Sequence, residues 1–350
     1  MNVDHRPSFP DEYRPGIGIV GYGGVVRRGH LPAYEKYGCR VVGVHAESDD
    51  AANAVGLRVF PSLDSLLADD AVEIVDVATP PEGRASLIRG ALAAGKHVLS
   101  QKPLADDIDE ARALADEAER AGVRLAVNQN ARWAPSWRVA TLLVAQGALG
   151  DVFSVTHLLE KRFDFVLESP RLDALPHFLL YDYLVHWIDI SRCWLDGKDA
   201  VSVRALERRT AGQPREGTAP WGGLIAVDYA DGSTAVIHST GGSASDPRCH
   251  FWIHGTEATV RGAILHGTDF VELERRGDVS RYPLEGEWWP DGFAGAMAEL
   301  MSAIAEDREP YNSARHNLLS LELTVAACSS AEQDGRPVTV GATERPTARS

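Results

Sequence analysis

Two stretches of this sequence carry residues able to move protons. The first is Gln101-Lys102-Pro103, directly after the apolar run His97-Val98-Leu99. Proline fixes its own φ and lacks a backbone donor, so it holds a neighbouring lysine stiffly where a strand gives way to a helix. A partly desolvated amine beside a cationic ring has a lowered pKa and can take the proton of an alcohol. The second stretch is LLYDYLVHWIDI, residues 179–190. Asp182, His186 and Asp189 stand at i, i+4 and i+7, one polar stripe of a helix. Leu180, Leu184, Trp187 and Trp194 make a neighbouring apolar face. Such a stripe is costly to bury unless it lines a wet cleft or is paired. In a cleft, His186 orients a hydroxyl and Asp182 sets its position and tautomer. The other readings are a paired His–Asp strut, or a metal site for which spacing supplies no fourth ligand.

The elements that must position these residues fall into two textures. From residue 16, GIGIVGYG, VVRRGHLPAYEKYG, CRVVGVH, SLDSLLADD, VEIVDVATPP, EGRASLIRGALAAG, KHVLS, DDIDEARALADEAERAG and VRLAVNQN alternate as strand and helix. Continuously apolar strands with short links predict a parallel sheet covered by helices on both faces. Functional groups then gather at the carboxyl ends of the strands, with HVLS taken as the fifth. After about residue 150, one helical stretch near 176–195 precedes a series of strands, with turns at DGST and GTEA. Two helices close the chain. This half reads as α+β with a mostly antiparallel sheet. The expected division is a loose arm over 1–14, a doubly wound domain over 15–130 and an α+β domain over 131–350.

A Gly-rich turn follows the first strand, with Gly21, Tyr22, Gly23, Gly24, Val25 and Val26 leading into the helix. Glycine there permits a tight turn and close approach of backbone to a pyrophosphate, which then rests on a helix N-terminus. Val26 occupies the place of the third small residue. The second strand ends VHAES, so His45 and Ala46 occupy the positions where an acid reads a ribose, and Glu47 follows. No Lys or Arg lies between Arg40 and Arg58, which favours NAD over NADP.

Bulk properties narrow the classes. The chain has 350 residues and a formal net charge of −15, which repels a phosphate backbone and argues against nucleic acid as partner. No apolar run is long enough to span a bilayer. Four scattered cysteines without a CxxC pair fit a reducing cytoplasm.

Together these residues resemble the Gfo/Idh/MocA family of NAD(P)-dependent oxidoreductases. The resemblance runs over about residues 15–340. It is carried by GIVGYGGVVRRGHLPAY, ATPPEGRASLIRGALAAGKHVLSQKPLA, NQNARWAPSWR, DYLVHWIDISRCWL and WWPDGFAGAMAELMSAI. It implies a Rossmann domain, an α+β domain with a large open sheet, and dimers or tetramers built on that sheet. It implies Lys102 as proton acceptor or donor, with Asp182 and His186 beside the reacting hydroxyl of a sugar, inositol or other polyol. Thr79, Pro80 and Gln101 then join Lys102 and the Gly-rich turn at the cofactor. Asn130 and Arg132 (after the strand counted sixth), Arg162 after the first strand of the second domain, and the loop Trp288, Trp289 and Asp291 are expected at the substrate. Four positions depart from the family's pattern: Gln101 for Glu, Arg84 for His, Leu184 for Gly and Ala46 for an acid. The family also holds members that cleave glycosides through transient oxidation and members that bind NAD without catalysis.

Overall fold

The computed structural model describes residues 3–46, 56–265 and 267–341. They form two compact units. The first begins with a parallel sheet of β1 (Gly16–Val20), β2 (Arg40–His45), β3 (Ile74–Val77), β4 (His97–Ser100) and β5 (Leu125–Val127), in the order β2-β1-β3-β4-β5. HVLS is therefore the fourth strand in chain order and LAV the fifth, because only a helix intervenes between β2 and β3 among the described residues. A π-helical turn, Val26–His30, runs into α1 (Leu31–Lys36). α2 (Leu63–Leu67) starts at Ser62, whose hydroxyl accepts from the Ser65 N–H at 3.1 Å. α3 (Arg84–Ala93) and α4 (Ile108–Ala121) follow, the latter capped by Asp107 and ended by Gly122 with a positive φ.

The second unit opens with α5 (Pro135–Ala145). Nine strands then form one sheet: β6 (Val152–Glu160), β7 (Ala200–Arg208), β8 (Gly222–Tyr229), β9 (Thr234–Ser239), β10 (Arg248–Gly255), β11 (Thr259–Ala263), β12 (Phe270–Arg275), β13 (Asp278–Tyr282) and β14 (Val338–Thr339). Its order is β13-β12-β11-β10-β6-β9-β8-β7-β14, antiparallel except where β6 pairs with β9. DGST and GTEA are hairpin turns, as expected, and a third hairpin turns at Arg276-Gly277. Between β6 and β7 lie the short α6 (Pro170–Asp173), a π-helical segment Phe178–Tyr183 and α7 (Val185–Trp194). Every residue of α7 is buried.

Two departures from the expected division have clear causes. The chain returns to the first unit over 286–318, which contains α8 (Phe293–Ala305) and the start of α9 (Ala314–Glu332). Phe293, Ala294, Met297, Leu300 and Met301 stand at helical spacing and complete the core around Ile17, Ile19, Val26 and Leu99. Residues 3–5, read as part of a loose arm, belong with the second unit. Val3 and His5 are buried, and the Glu285 N–H donates to His5 Nε2 at 3.0 Å. No helix among the described residues is long and apolar enough to cross a membrane.

Candidate active site

A nucleotide cradle lies in the first unit. Gly21 has φ +103°, and a Cβ there would stand 2.6 Å from the Ala78 carbonyl oxygen, so only glycine makes this turn. Its N–H donates to the His45 carbonyl at 2.7 Å, tying the turn to the end of β2. Around Gly23 a Cβ would meet nothing within 4 Å, so a ligand can approach its backbone. Tyr22 and Val26 are buried, and Gly24 and Val25 lead into the helix. Thr79 is half-buried beside Gly21, and Pro80 is exposed. Strand, glycine turn and helix N-terminus together fit a dinucleotide's pyrophosphate. The His45 ring is buried and donates from Nδ1 to the Phe60 carbonyl at 3.0 Å. Arg58 is paired with Asp69 at 2.6 Å. Glu47 lies outside the described residues.

Behind the lysine stands a second set of groups in the same unit. Lys102 is half-buried and precedes a cis peptide bond to Pro103. Arg84, 2% exposed, donates to the carbonyls of Gln101 (2.9 Å) and Pro103 through Nη1, and to that of Thr79 through Nη2. One rigid guanidinium fork therefore grips the loops after β3 and β4, on both sides of Lys102. The Gln101 side chain turns inward. Its Nε2 lies 2.7 Å from His30 Nε2, and the Asn128 amide nitrogen lies 3.3 Å from the same atom. With amide N–H groups donating to it, His30 Nε2 accepts and Nδ1–H donates to Asp76 at 2.6 Å. The Tyr34 hydroxyl donates to the same carboxylate oxygen at 2.6 Å, and burial together with Asp76 pushes the Tyr34 pKa well above its ordinary value. His30, Tyr34, Asp76 and Asn128 are not among the residues that the sequence singles out. Two signals were present: His30 and Tyr34 are four apart, and Asp76 interrupts an apolar strand.

A separate group of candidate residues lies in the second unit. Asp182 sits half-buried in the π-helical segment, and His186 sits buried in the first turn of α7. Leu184, fully buried, joins the two segments. Asp189 is not part of this pair. It is 1% exposed, accepts from the Ser320 hydroxyl at 2.6 Å and faces Arg192 at 3.8 Å, so the end of the stripe is an internal strut. His177, just before the segment, meets Glu207 at 2.7 Å and Glu332 at 3.3 Å. The hydrogen bond that the His177 ring donates to Glu207 raises its pKa against the opposing effect of burial.

Several residues expected at the substrate are engaged within the protein. Arg132 is 1% exposed, with Nη1 donating to the Tyr311 carbonyl at 2.7 Å and its guanidinium over the Tyr311 ring. Asn130 is buried and accepts from the Trp288 indole N–H at 2.7 Å. Both brace the turn after β5 against the returning segment, which sequence position alone does not disclose. Asp291 accepts from Lys36 (2.6 Å), the Glu287 N–H (2.8 Å) and the Tyr37 hydroxyl (2.9 Å). Burial raises its pKa, but these hydrogen bonds outweigh burial and hold the carboxyl below its ordinary value. Arg162 is exposed and its guanidinium is held by both oxygens of Asp164 and by the Gly212 carbonyl. Trp289 remains 38% exposed, edge-on to Phe293 at 4.5 Å.

Residues 16–129 match an oxidoreductase family with an NAD-binding Rossmann fold, and residues 137–261 match the GFO/IDH/MocA C-terminal domain. The chain belongs to the Gfo/Idh/MocA family, and its cofactor is NAD or NADP. It is 26% identical to D-apiose dehydrogenase of Paraburkholderia graminis over 332 residues, 90% of this chain and 87% of that one. It is 26% identical to scyllo-inositol 2-dehydrogenase (NADP(+)) of Bacillus subtilis over 282 residues, 79% of this chain and 75% of that one. An oxidoreductase from Agrobacterium radiobacter, solved with NAD+, L-tartaric acid and magnesium, superposes with TM-score 0.80 at 21% identity, covering 94% of this chain and 99% of the other.

Proposed function

We propose that this chain is an NAD(P)-dependent dehydrogenase acting on a secondary or anomeric hydroxyl of a sugar, inositol or related polyol. The observation that carries the reading is a clamped lysine in the same compact unit as a nucleotide cradle. Arg84 and Gln101 hold Lys102 at the carboxyl end of β4, and Gly21 and Gly23 open the cradle at the carboxyl end of β1. The named relatives support the substrate class. A nicotinamide held in this cradle would accept the hydride in oxidation and return it in reduction. Lys102 takes the hydroxyl proton in oxidation and returns it in reduction. His186 and Asp182 hold that hydroxyl, roles supported by the family resemblance. Gly21, Gly23, Gly24 and the following helix turn receive the pyrophosphate, with Tyr22 and Val25 beside it, and Thr79, Pro80 and Gln101 join Lys102 at the cofactor. The acidic residues that follow His45 in the sequence, Glu47, Asp49 and Asp50, support NAD as the preferred form.

A dimer or tetramer resting on the nine-stranded sheet completes the reading. Half-buried positions along β8, β9 and β10, with Phe153 and Leu224 exposed, support it. Four free thiols support a reducing cytoplasm. The test is absorbance at the reduced-nicotinamide band with NAD and then NADP across aldoses, inositols, polyols and sugar acids. Reduction with one substrate class supports the proposal. Silence across the panel in a protein that binds NAD overturns it.

A further inference from the structure

Lys161 follows β6 and occupies a place that nothing in the reaction above uses. Its ammonium donates to the Tyr183 hydroxyl at 2.8 Å. It lies 5.0 Å from the centroid of the Tyr183 ring, 5.5 Å from that of Phe165 and 5.7 Å from that of Phe163. Among the described residues no carboxylate forms an ion pair with it. Its neighbour Arg162 is already balanced by Asp164. An ammonium has three donors, and here one is taken by a hydroxyl while the ring faces offer no acceptor for the rest. Burial lowers the Lys161 pKa, which marks the cost of holding this cation without an anion. Phe163 is fully buried, but Phe165 is 39% exposed, so one wall of the cage opens outward. Tyr183 directly follows Asp182, and its ring stacks on Trp187, next to His186, at 5.1 Å. The cage is thus built on the segment that carries the two residues assigned to the substrate.

We propose that Lys161 receives the carboxylate of an acidic substrate, so that the enzyme's substrates are sugar acids or other polyhydroxy carboxylates rather than neutral sugars. This rests on the dehydrogenase reading, in which Asp182 and His186 face the substrate. One monovalent cation is balanced by one carboxylate, and a phosphate dianion leaves excess charge among three rings. The acid's polyol tail then lies along Tyr183 toward Asp182 and His186, and the aromatic walls meet its CH groups.

The experiment is calorimetric titration of the NADH-saturated full chain with D-gluconate, D-galactonate and D-xylonate, each paired with its neutral polyol (D-glucitol, galactitol and xylitol). The wild type is expected to bind at least one aldonate about tenfold more tightly than its polyol. Lys161→Met brings that aldonate down to the level of the polyol, Lys161→Arg keeps most of the preference, and both variants bind NADH as the wild type does. Absence of any acid preference in the wild type, or a preference that survives in K161M, overturns the proposal. Turnover of neutral polyols with no acid preference leaves the dehydrogenase reading standing and removes this one. Lys161-dependent aldonate binding without nicotinamide reduction overturns the dehydrogenase reading and leaves Lys161 as a carboxylate site without a substrate.

Discussion

Arg84 is a single side chain that shapes the loop carrying Lys102. Its fork holds three carbonyls that flank Lys102 and the third strand's end. Arg84→Met leaves those buried carbonyls without a charged donor, at a cost of about 1–3 kcal/mol for each lost bond that water cannot replace. The variant is expected to lose at least tenfold in kcat while its KM for the polyol changes much less, a split read from initial rates. Arg84→Lys recovers little, because a point ammonium cannot span the same three acceptors. Gln101 gives a second prediction. Gln101→Glu sets a carboxylate against His30 Nε2, which now accepts from the amide. The amide donor to that buried nitrogen is lost, and the variant is expected to be less stable by about 1–3 kcal/mol in denaturant unfolding. Unchanged stability contradicts the hydrogen bond assigned here.

The π-helical segment Phe178–Tyr183 and α7 act as one element, held at its entrance by His177 with φ 52°. Glu207 binds both His177 and the Leu180 N–H, so one carboxylate anchors the segment that presents Asp182. His177's raised pKa means that the folded state holds its proton more tightly than the unfolded chain does. That stabilisation is complete below the ordinary histidine value of 6.5 and is lost as pH rises through the raised folded value. His177→Gln is therefore expected to lower stability by about 1–2 kcal/mol at pH 6 and by less at pH 9, measured by denaturant unfolding at both values. The spacing of Asp182, His186 and Asp189 located this element in the sequence. A regular helix through all three was the natural reading of that spacing. The π-helical turns and the break at Leu184 were not legible, since the same residues suit either winding, and Asp189 is drawn inward by Arg192 one turn on and by Ser320, which lies beyond any local pattern.

Across the whole molecule, the alternation of strand and helix and the glycine turn made the first sheet legible, and the two hairpin turns did the same for part of the second. The destination of 286–318 was not legible. An amphipathic helix shows that it has an apolar face, and the face of Phe293, Met297 and Met301 does not say which core it fills. Arg132 and Asn130 look like cleft residues for the same reason, because the Tyr311 carbonyl and the Trp288 indole that engage them are more than 150 residues away. Met297→Ala is expected to cost about 2–5 kcal/mol, and deletion of 286–318 to prevent NAD binding by leaving the first core open, both read by unfolding and nucleotide titration. The central claim is that Lys102 is the acid–base group of a nicotinamide-dependent dehydrogenase. Its most direct test compares wild type and Lys102→Ala for nicotinamide reduction with the best substrate of the panel, alongside NADH binding measured by fluorescence. The account predicts that the variant binds NADH as the wild type does and loses at least a thousandfold in kcat. Undiminished turnover in Lys102→Ala contradicts it.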